Sequence, residues 1–297
     1  MDYWIVRTDS IGNILWENTY GGSSTDNPHS VCNTYDHGYV MAGYSESTNG
    51  DVSGNHGSED FWVIKVDSLG SIVWENSFGG TGDDRARSVI ETLDKVIVVA
   101  GFSNSNNGDV SGNHGNYDYW IIKLDSLGNL LWQKSFGGSN EDKAYGIRET
   151  DDKGYIVARY SYSSDGNVSG NYGACDFWML KLNSIGDLEF KINFGGTGVD
   201  KGYSITEPSM DNFVISDESN STDGQVTGNH GNYDIWVVKI TLLDNLFVLD
   251  WEKALGGSLD DDRAYYIITT NDQGYALCGT SKSSDGDLNN NYGDYDF

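Results

Sequence analysis

The chain has 297 residues, with 18 basic and 45 acidic side chains and a net charge of −27, a field that repels nucleic acid and anionic membranes and attracts cations. Its 38 glycines, 19 tyrosines and 9 tryptophans against 2 prolines suit many short strands and tight turns rather than helices. No apolar run is long enough to form a membrane helix and no signal peptide opens the chain; Met1 stands directly before a repeat motif, as at a fragment boundary.

In chain order, Trp4, Trp62, Trp120, Trp178 and Trp236 fall 58 residues apart, each opening a run such as WVIKVD or WIIKLD. A fixed period of this length marks a repeat architecture. One repeat reads as four strands. Asp84 opens the first, DRARSVIET, and a turn near Asp94 and Lys95 leads to the second, VIVVAGFS. A long polar loop, NSNNGDVSGNHGNYD, precedes the third strand, YWIIKLD, where apolar residues alternate in the period of two that marks a strand. The turn Ser126-Leu127-Gly128-Asn129 supplies a glycine where positive φ is expected. The fourth strand, LLWQKSFGG, ends in paired glycines.

Such a sheet cannot hide both apolar faces alone; five stacked around an axis can. The expected fold is therefore all-β, a five-bladed β-propeller of four-stranded antiparallel blades forming one domain over 1–297. The blades are expected near 25–80, 83–138, 141–196, 199–257 and 260–297 plus 2–21. The chain starts at Asp2-Tyr3-Trp4 and stops at Tyr295-Asp296-Phe297, the same phase of the repeat, so residues 2–21 are expected to complete the last blade and close the ring. The five period-setting tryptophans are expected in the core. Cys32, Cys175 and Cys278 occupy unrelated repeat positions and read as three free thiols.

The segments GGTGDDRARSVIETLDKVIVVAGFS and GGSNEDKAYGIRETDDKGYIVARYS, with DYWIIKLDSLGNLLWQKSFGG, resemble the SBBP-type β-propeller repeats of secreted and surface proteins of Bacteroidetes-like bacteria. The resemblance implies an extracellular or cell-surface location and implies no reaction. Repeats three and four depart from the pattern. Phe190 stands where Trp16, Trp74, Trp132 and Trp251 stand elsewhere, Ala-Gly becomes Ala158-Arg159 and Ser216-Asp217, and an insertion disturbs residues 241–253.

Two acidic patterns recur. One aspartate enters each first strand, Asp26, Asp84, Asp142, Asp200 and Asp262; these are expected to form an acidic ring near one mouth of the axis, either as acceptors of backbone N–H groups or around a cation or polar ligand. The loops carry alternating oxygen-bearing residues, with Asp51, Asp109, Asp165, Asp223, Asp285 and Asp287 as candidate ligands of Ca2+, against the alternative of plain Asx turns. Asp60, Asp118, Asp176, Asp234 and Asp296 stand ready to complete such a site or to cap the loop. His56, His114 and His230 share one slot with Tyr172 and Tyr292, which speaks against general-base work there.

The function this supports is a non-catalytic binding or structural module, probing carbohydrate or a surface protein through repeated loops, with Tyr117, Tyr172, Tyr233 and Tyr292 as stacking candidates. As an isolated domain it is expected to be a monomer, with no nucleic-acid partner and no membrane insertion. The alternative is a carbohydrate-active hydrolase or lyase with one site in the axial channel, built at drifted positions such as Asp217 and Glu218.

Overall fold

The computed structural model describes residues 1–209, 211–243, 246–258 and 262–288, with the side chains of Pro208 and Asp217 excepted. Every regular element among them is a strand. The chain forms two compact units, one of residues 1–137 and 142–149, the other of 138–141 and 150–297.

The first unit begins with a hairpin of β1 (Tyr3–Thr8) and β2 (Ile14–Tyr20), which form a two-stranded sheet. Two four-stranded antiparallel sheets follow. The first is β3 (Asp26–Asn33), β4 (Tyr39–Ser45), β5 (Asp60–Val66) and β6 (Ile72–Phe78). The second is β7 (Asp84–Glu91), β8 (Ile97–Ser103), β9 (Asp118–Leu124) and β10 (Leu130–Phe136), each strand paired with its chain neighbours. The strand β11 (Asp142–Glu149) packs on β7 and β8. In β5 and β9 every residue is buried, because sheets or loops cover both faces. The alternation read in YWIIKLD therefore sorts residues between two packed interfaces rather than between core and water. Trp120 packs its ring 4.4 Å from Phe61, and Trp62 packs edge-on to Tyr3 at 4.5 Å.

Trp16 and Trp74 also tie adjacent repeats of the first unit. The Trp16 and Trp74 indoles donate to the carbonyls of Ser68 and Ser126, at 3.0 and 3.1 Å, in the hairpin of the following repeat. Asn76 donates to the Gly128 carbonyl at 3.3 Å. The turn glycine is needed twice over: Gly128 has φ +85°, and a Cβ there would lie 2.7 Å from Asn76 and 2.9 Å from the Trp74 ring.

The second unit holds β12 (Tyr155–Ser161), β13 (Asp176–Leu182) and β14 (Leu188–Phe194), paired in that order. Next comes the four-stranded sheet of β15 (Ser204–Ser209), β16 (Asn212–Ser219), β17 (Asp234–Leu243) and β18 (Leu246–Leu255). A two-stranded sheet of β19 (Arg263–Thr269) and β20 (Tyr275–Thr280) ends the described strands. The insertion read near 241–253 lengthens β17 and β18 to 10 residues each. Phe190, which has no indole donor, falls in the repeat just before that enlarged hairpin. The core here gathers Phe177, Phe213 and Trp236, all about as buried as a side chain can be.

Repeated four-stranded antiparallel sheets without helices are the construction of propeller blades. Of the five period-setting tryptophans, Trp62, Trp120, Trp178 and Trp236 are buried as expected, but Trp4 is 62% exposed. In the other repeats the third strand is flanked on both sides and the Trp62 and Trp120 rings lie against Tyr3 and Phe61 of the preceding repeat, whereas among the described residues β1 pairs only with β2. The three cysteines are free, with Cys175 buried, Cys32 half-buried and Cys278 exposed.

Candidate functional site

Asp26, Asp84, Asp142, Asp200 and Asp262 are all buried. Asp84 accepts the Gly80 N–H at 2.7 Å and the Ser105 hydroxyl at 2.8 Å; Asp200 accepts the Gly196 N–H at 2.8 Å and the Ser221 hydroxyl at 2.7 Å. Asp26 and Asp262 take the same bonds from Gly22 and Ser47, and from Gly257 and Ser283. Each carboxylate thus fastens the paired-glycine turn to the end of the second strand. The glycine is obligatory: a Cβ on Gly79 would meet Asp84 Oδ2 at 2.6 Å and Asp60 Oδ1 at 2.8 Å.

The aspartates at the start of the third strand lie against these. Asp60, Asp118 and Asp234 accept both the backbone N–H and the ring Nδ1 contact of His56, His114 and His230. Asp176 accepts the Tyr172 N–H on that oxygen, at 2.6 Å. The backbone bond persists where tyrosine replaces histidine, so the imidazole clasps a loop and is dispensable to it. The second carboxylate oxygen of Asp60, Asp118, Asp176 and Asp234 has no hydrogen-bond partner among the described residues. Burial pushes the Asp84 carboxyl up to about 6, with the Asp60 charge adding to it. Burial, and then the Asp200 charge, likewise push Asp176 up to about 7.

The loop acids read as candidate calcium ligands sit in a repeated backbone clamp. Asp109 accepts the Gly79 N–H at 3.2 Å, Asp51 that of Gly21 at 3.2 Å and Asp287 that of Gly256 at 3.3 Å. Asp165, Asp223 and Asp285 each accept the N–H just beyond the glycines, from Ser139, Thr197 and Ser258, at 2.7 Å. Among the described residues no group of three or more His, Cys, Asp or Glu is placed to hold a metal ion.

Of the four tyrosines, Tyr117 and Tyr233 lie beside cationic side chains at the entry to a first strand. Tyr117 donates to Asp83 at 3.0 Å and lies edge-on to Phe102, with the Lys143 ammonium 4.4 Å from its ring centre. Burial, then the bond to Asp83, pushes the Tyr117 phenol up to about 12. The Arg87 guanidinium sits 5.3 Å from the Phe102 ring and 4.6 Å from that of Tyr145. Arg85 lies over Tyr44 at 5.1 Å and pairs with Glu59. Beside Arg87, burial and then the two guanidinium charges hold the His29 imidazole down to about 4.

The second unit repeats the arrangement with different residues. Arg159 lies 4.7 Å from the Tyr160 ring and 4.3 Å from that of Tyr203, and Lys201 lies 5.5 Å from Tyr160. Glu218 pairs with Lys201 at 3.3 Å and Arg263 at 2.7 Å, and Arg263 lies 5.9 Å from Tyr233. Tyr172 stands apart on its loop, 53% exposed, and Tyr292 lies outside the described residues.

Sequence reasoning missed the cations. They follow a readable signal: the residue after the buried first-strand aspartate is Arg85, Lys143, Lys201 or Arg263 in four of five repeats. Two residues further on stand His29, Arg87, Tyr145, Tyr203 and Tyr265. In a chain with 18 basic residues against 45 acidic ones, this concentration at one repeat position makes a cation-and-ring surface. Such surfaces stack on flat ligands and pair with anionic groups.

No family model matches the chain, and no curated protein matches it. Among solved structures the chain is similar to a protein of unknown function from Bacteroides caccae, at 10% identity, covering 94% of this chain and 83% of that one with a TM-score of 0.49. It is also similar to a mutant of the Synechocystis apocarotenoid oxygenase, at 13% identity, 88% and 56% coverage and a TM-score of 0.43. A third is the PQQ domain of pyranose dehydrogenase from Coprinopsis cinerea, at 8% identity, 93% and 85% coverage and a TM-score of 0.42. Identities this low say nothing of activity.

Proposed function

We propose that this chain is a non-catalytic binding module of the secreted or cell-surface SBBP type, a five-bladed propeller that recognises anionic carbohydrate. In this reading the hairpins β1-β2 and β19-β20, each two-stranded, are the halves of the fifth blade. The observation that carries the ligand class is the recurrence of Arg or Lys after the buried aspartate, stacked on Tyr or Phe. Rings bind the flat apolar face of a sugar and guanidinium groups bind its carboxylate or sulfate. Equivalent weak sites on successive repeats gain avidity on a polymer whose units also repeat. The acids support the non-catalytic reading, because the recurring carboxylates are held in backbone and hydroxyl bonds.

A glycan array carrying uronate, sulfated and neutral polymers, run with calcium and again with EDTA, tests this. Binding is expected on acidic glycans, to weaken with salt, to survive EDTA and to fall in Arg87→Ala. Binding confined to neutral glycans, or to none, overturns the anionic reading; loss in EDTA returns the loop acids to a metal role.

A further inference from the structure

The hairpin between the first and second strands follows a rule in four of five repeats. Thr34 and Asp36, Thr92 and Asp94, Thr150 and Asp152, and Thr270 and Asp272 are each joined by a hydroxyl-to-carboxylate bond. In three repeats that carboxylate also receives the lysine of the third strand: Lys65 to Asp36 at 2.6 Å, Lys123 to Asp94 at 3.9 Å and Lys181 to Asp152 at 2.7 Å. Those lysine side chains are 7, 11 and 2% exposed.

The fourth repeat breaks the rule. Its hairpin reads Pro208-Ser209-Met210, with neither threonine nor aspartate in register. The matching lysine, Lys239, pairs instead with Asp250 across the sheet at 3.4 Å and is 26% exposed. It opens on a cleft of about 470 Å³ lined by Ser209, Asn212, Thr269, Thr270, Gln273 and Tyr275. The cleft lies between the hairpins of consecutive repeats in the second unit, and its volume falls in the range of small-molecule pockets.

We infer that this cleft binds a neutral sugar residue, a hexose or N-acetylhexosamine. Hydroxyls and carboxamides both donate and accept, which is what a ring of sugar hydroxyls requires. The ammonium has three donors, and Asp250 is the acid it is paired with, so it can donate to a ligand oxygen. The Asp250 charge beside it disfavours an anion and leaves an uncharged hydroxyl as the fitting acceptor. Tyr275, braced against Trp251 at 5.9 Å, supplies a ring against which the sugar's apolar face packs. This site is separate in residues and in ligand charge from the cation-and-ring surface proposed above, so either can fail alone.

The test is NMR titration of the whole chain with the methyl glycosides of glucose, galactose and N-acetylglucosamine, up to about 50 mM because one sugar residue binds weakly. At least one probe should shift the Asn212 and Gln273 side-chain amide signals saturably. Lys239→Met should weaken that binding about tenfold, the loss of one charged hydrogen bond. Thr269→Trp, at an exposed strand position, fills the cleft and should abolish the shifts, while Arg87→Ala leaves them unchanged. Absence of shifts with all three probes, or shifts that survive Thr269→Trp, overturns the inference.

Discussion

Replacing Asp176 by asparagine should stabilise the protein at alkaline pH. Asp176 is fully buried, and its neighbour Asp200 crowds the same glycine: a Cβ on Gly195 would lie 2.5 Å from Asp200 Oδ2 and 2.9 Å from Asp176 Oδ1. Its carboxyl is raised from 3.8 to about 7, by burial first and then by Asp200. An acid whose pKa is higher folded than unfolded makes the folded state bind more protons between those values, so stability falls as pH rises from about 4 to about 7. Some three pH units at about 1.4 kcal/mol each bound the penalty at about 4 kcal/mol, and solvent screening leaves on the order of 2 kcal/mol. Asparagine keeps the acceptor for the Tyr172 N–H and turns an NH2 group toward Asp200. Urea unfolding of both proteins from pH 4 to pH 8.5 reads the difference as a shift in midpoint at constant slope. The variant should match the parent near pH 4 and exceed it by that margin above pH 7.5. Buried acids away from this pair titrate alike in both proteins and cancel. Parallel curves across the range would refute the buried acid pair as the source of the strain.

Trp74→Phe removes the indole bond to the Ser126 carbonyl while keeping most of the ring, as the native Phe190 does one hundred and sixteen residues on. It should lower stability by about 1 kcal/mol, read by urea midpoint; a loss of 3 kcal/mol or more (roughly that of a full aromatic truncation) would mean the ring itself carries the junction. Because the loop acids accept backbone N–H bonds, calcium and EDTA should leave the thermal midpoint alike. Asp109→Ala should lower the midpoint equally in both conditions, by about 1 kcal/mol in free-energy terms. A midpoint that rises with calcium and loses that rise in Asp109→Ala would instead make Asp109 a ligand.

Much of the scaffold was legible because the repeat writes it five times. The aspartate that opens a first strand, the glycine pair and the Asp-x-x-Gly turn each answer one local demand for an acceptor or a positive φ, and a period of 58 residues exposes them. What resisted was the role of oxygens. Asp109 and Asp165 alternate with glycine as calcium ligands do, yet the same spacing also serves the backbone N–H bonds that these carboxylates accept. Trp4 misled for a different reason: its burial depends on sheet neighbours, which its own sequence cannot reveal. The sequence marks Tyr117 as an aromatic ring on a loop, but its partners Phe102 and Lys143 lie on other strands. The opening at Lys239 needed the rule that Asp36, Asp94 and Asp152 each hold a lysine, a rule invisible until the strands are paired.

What the sequence leaves open has a cause that bears on function. The bonds that hold one repeat to the next run from side chains to the backbone of paired glycines and hairpin turns, and backbone groups are the same in every repeat. Recognition through such groups fixes the acids and glycines and leaves the positions beside them free. Those positions, just after the buried aspartate and near the end of the second strand, run from Asn27 to Arg85 and Lys143, from Gly43 and Gly101 to Arg159, and from Phe102 to Glu218. A Cβ on Gly101 would press within 2.1 Å of the Arg85 carbonyl oxygen, so placing Arg159 at the equivalent point requires the neighbouring strand to yield. The third repeat accommodates that bulk, and Arg159 reaches Tyr203 on the following repeat. A scaffold fastened by its backbone can therefore vary the side chains beside those bonds one repeat at a time, and cations meet rings in the regular second repeat as they do in the third and fourth.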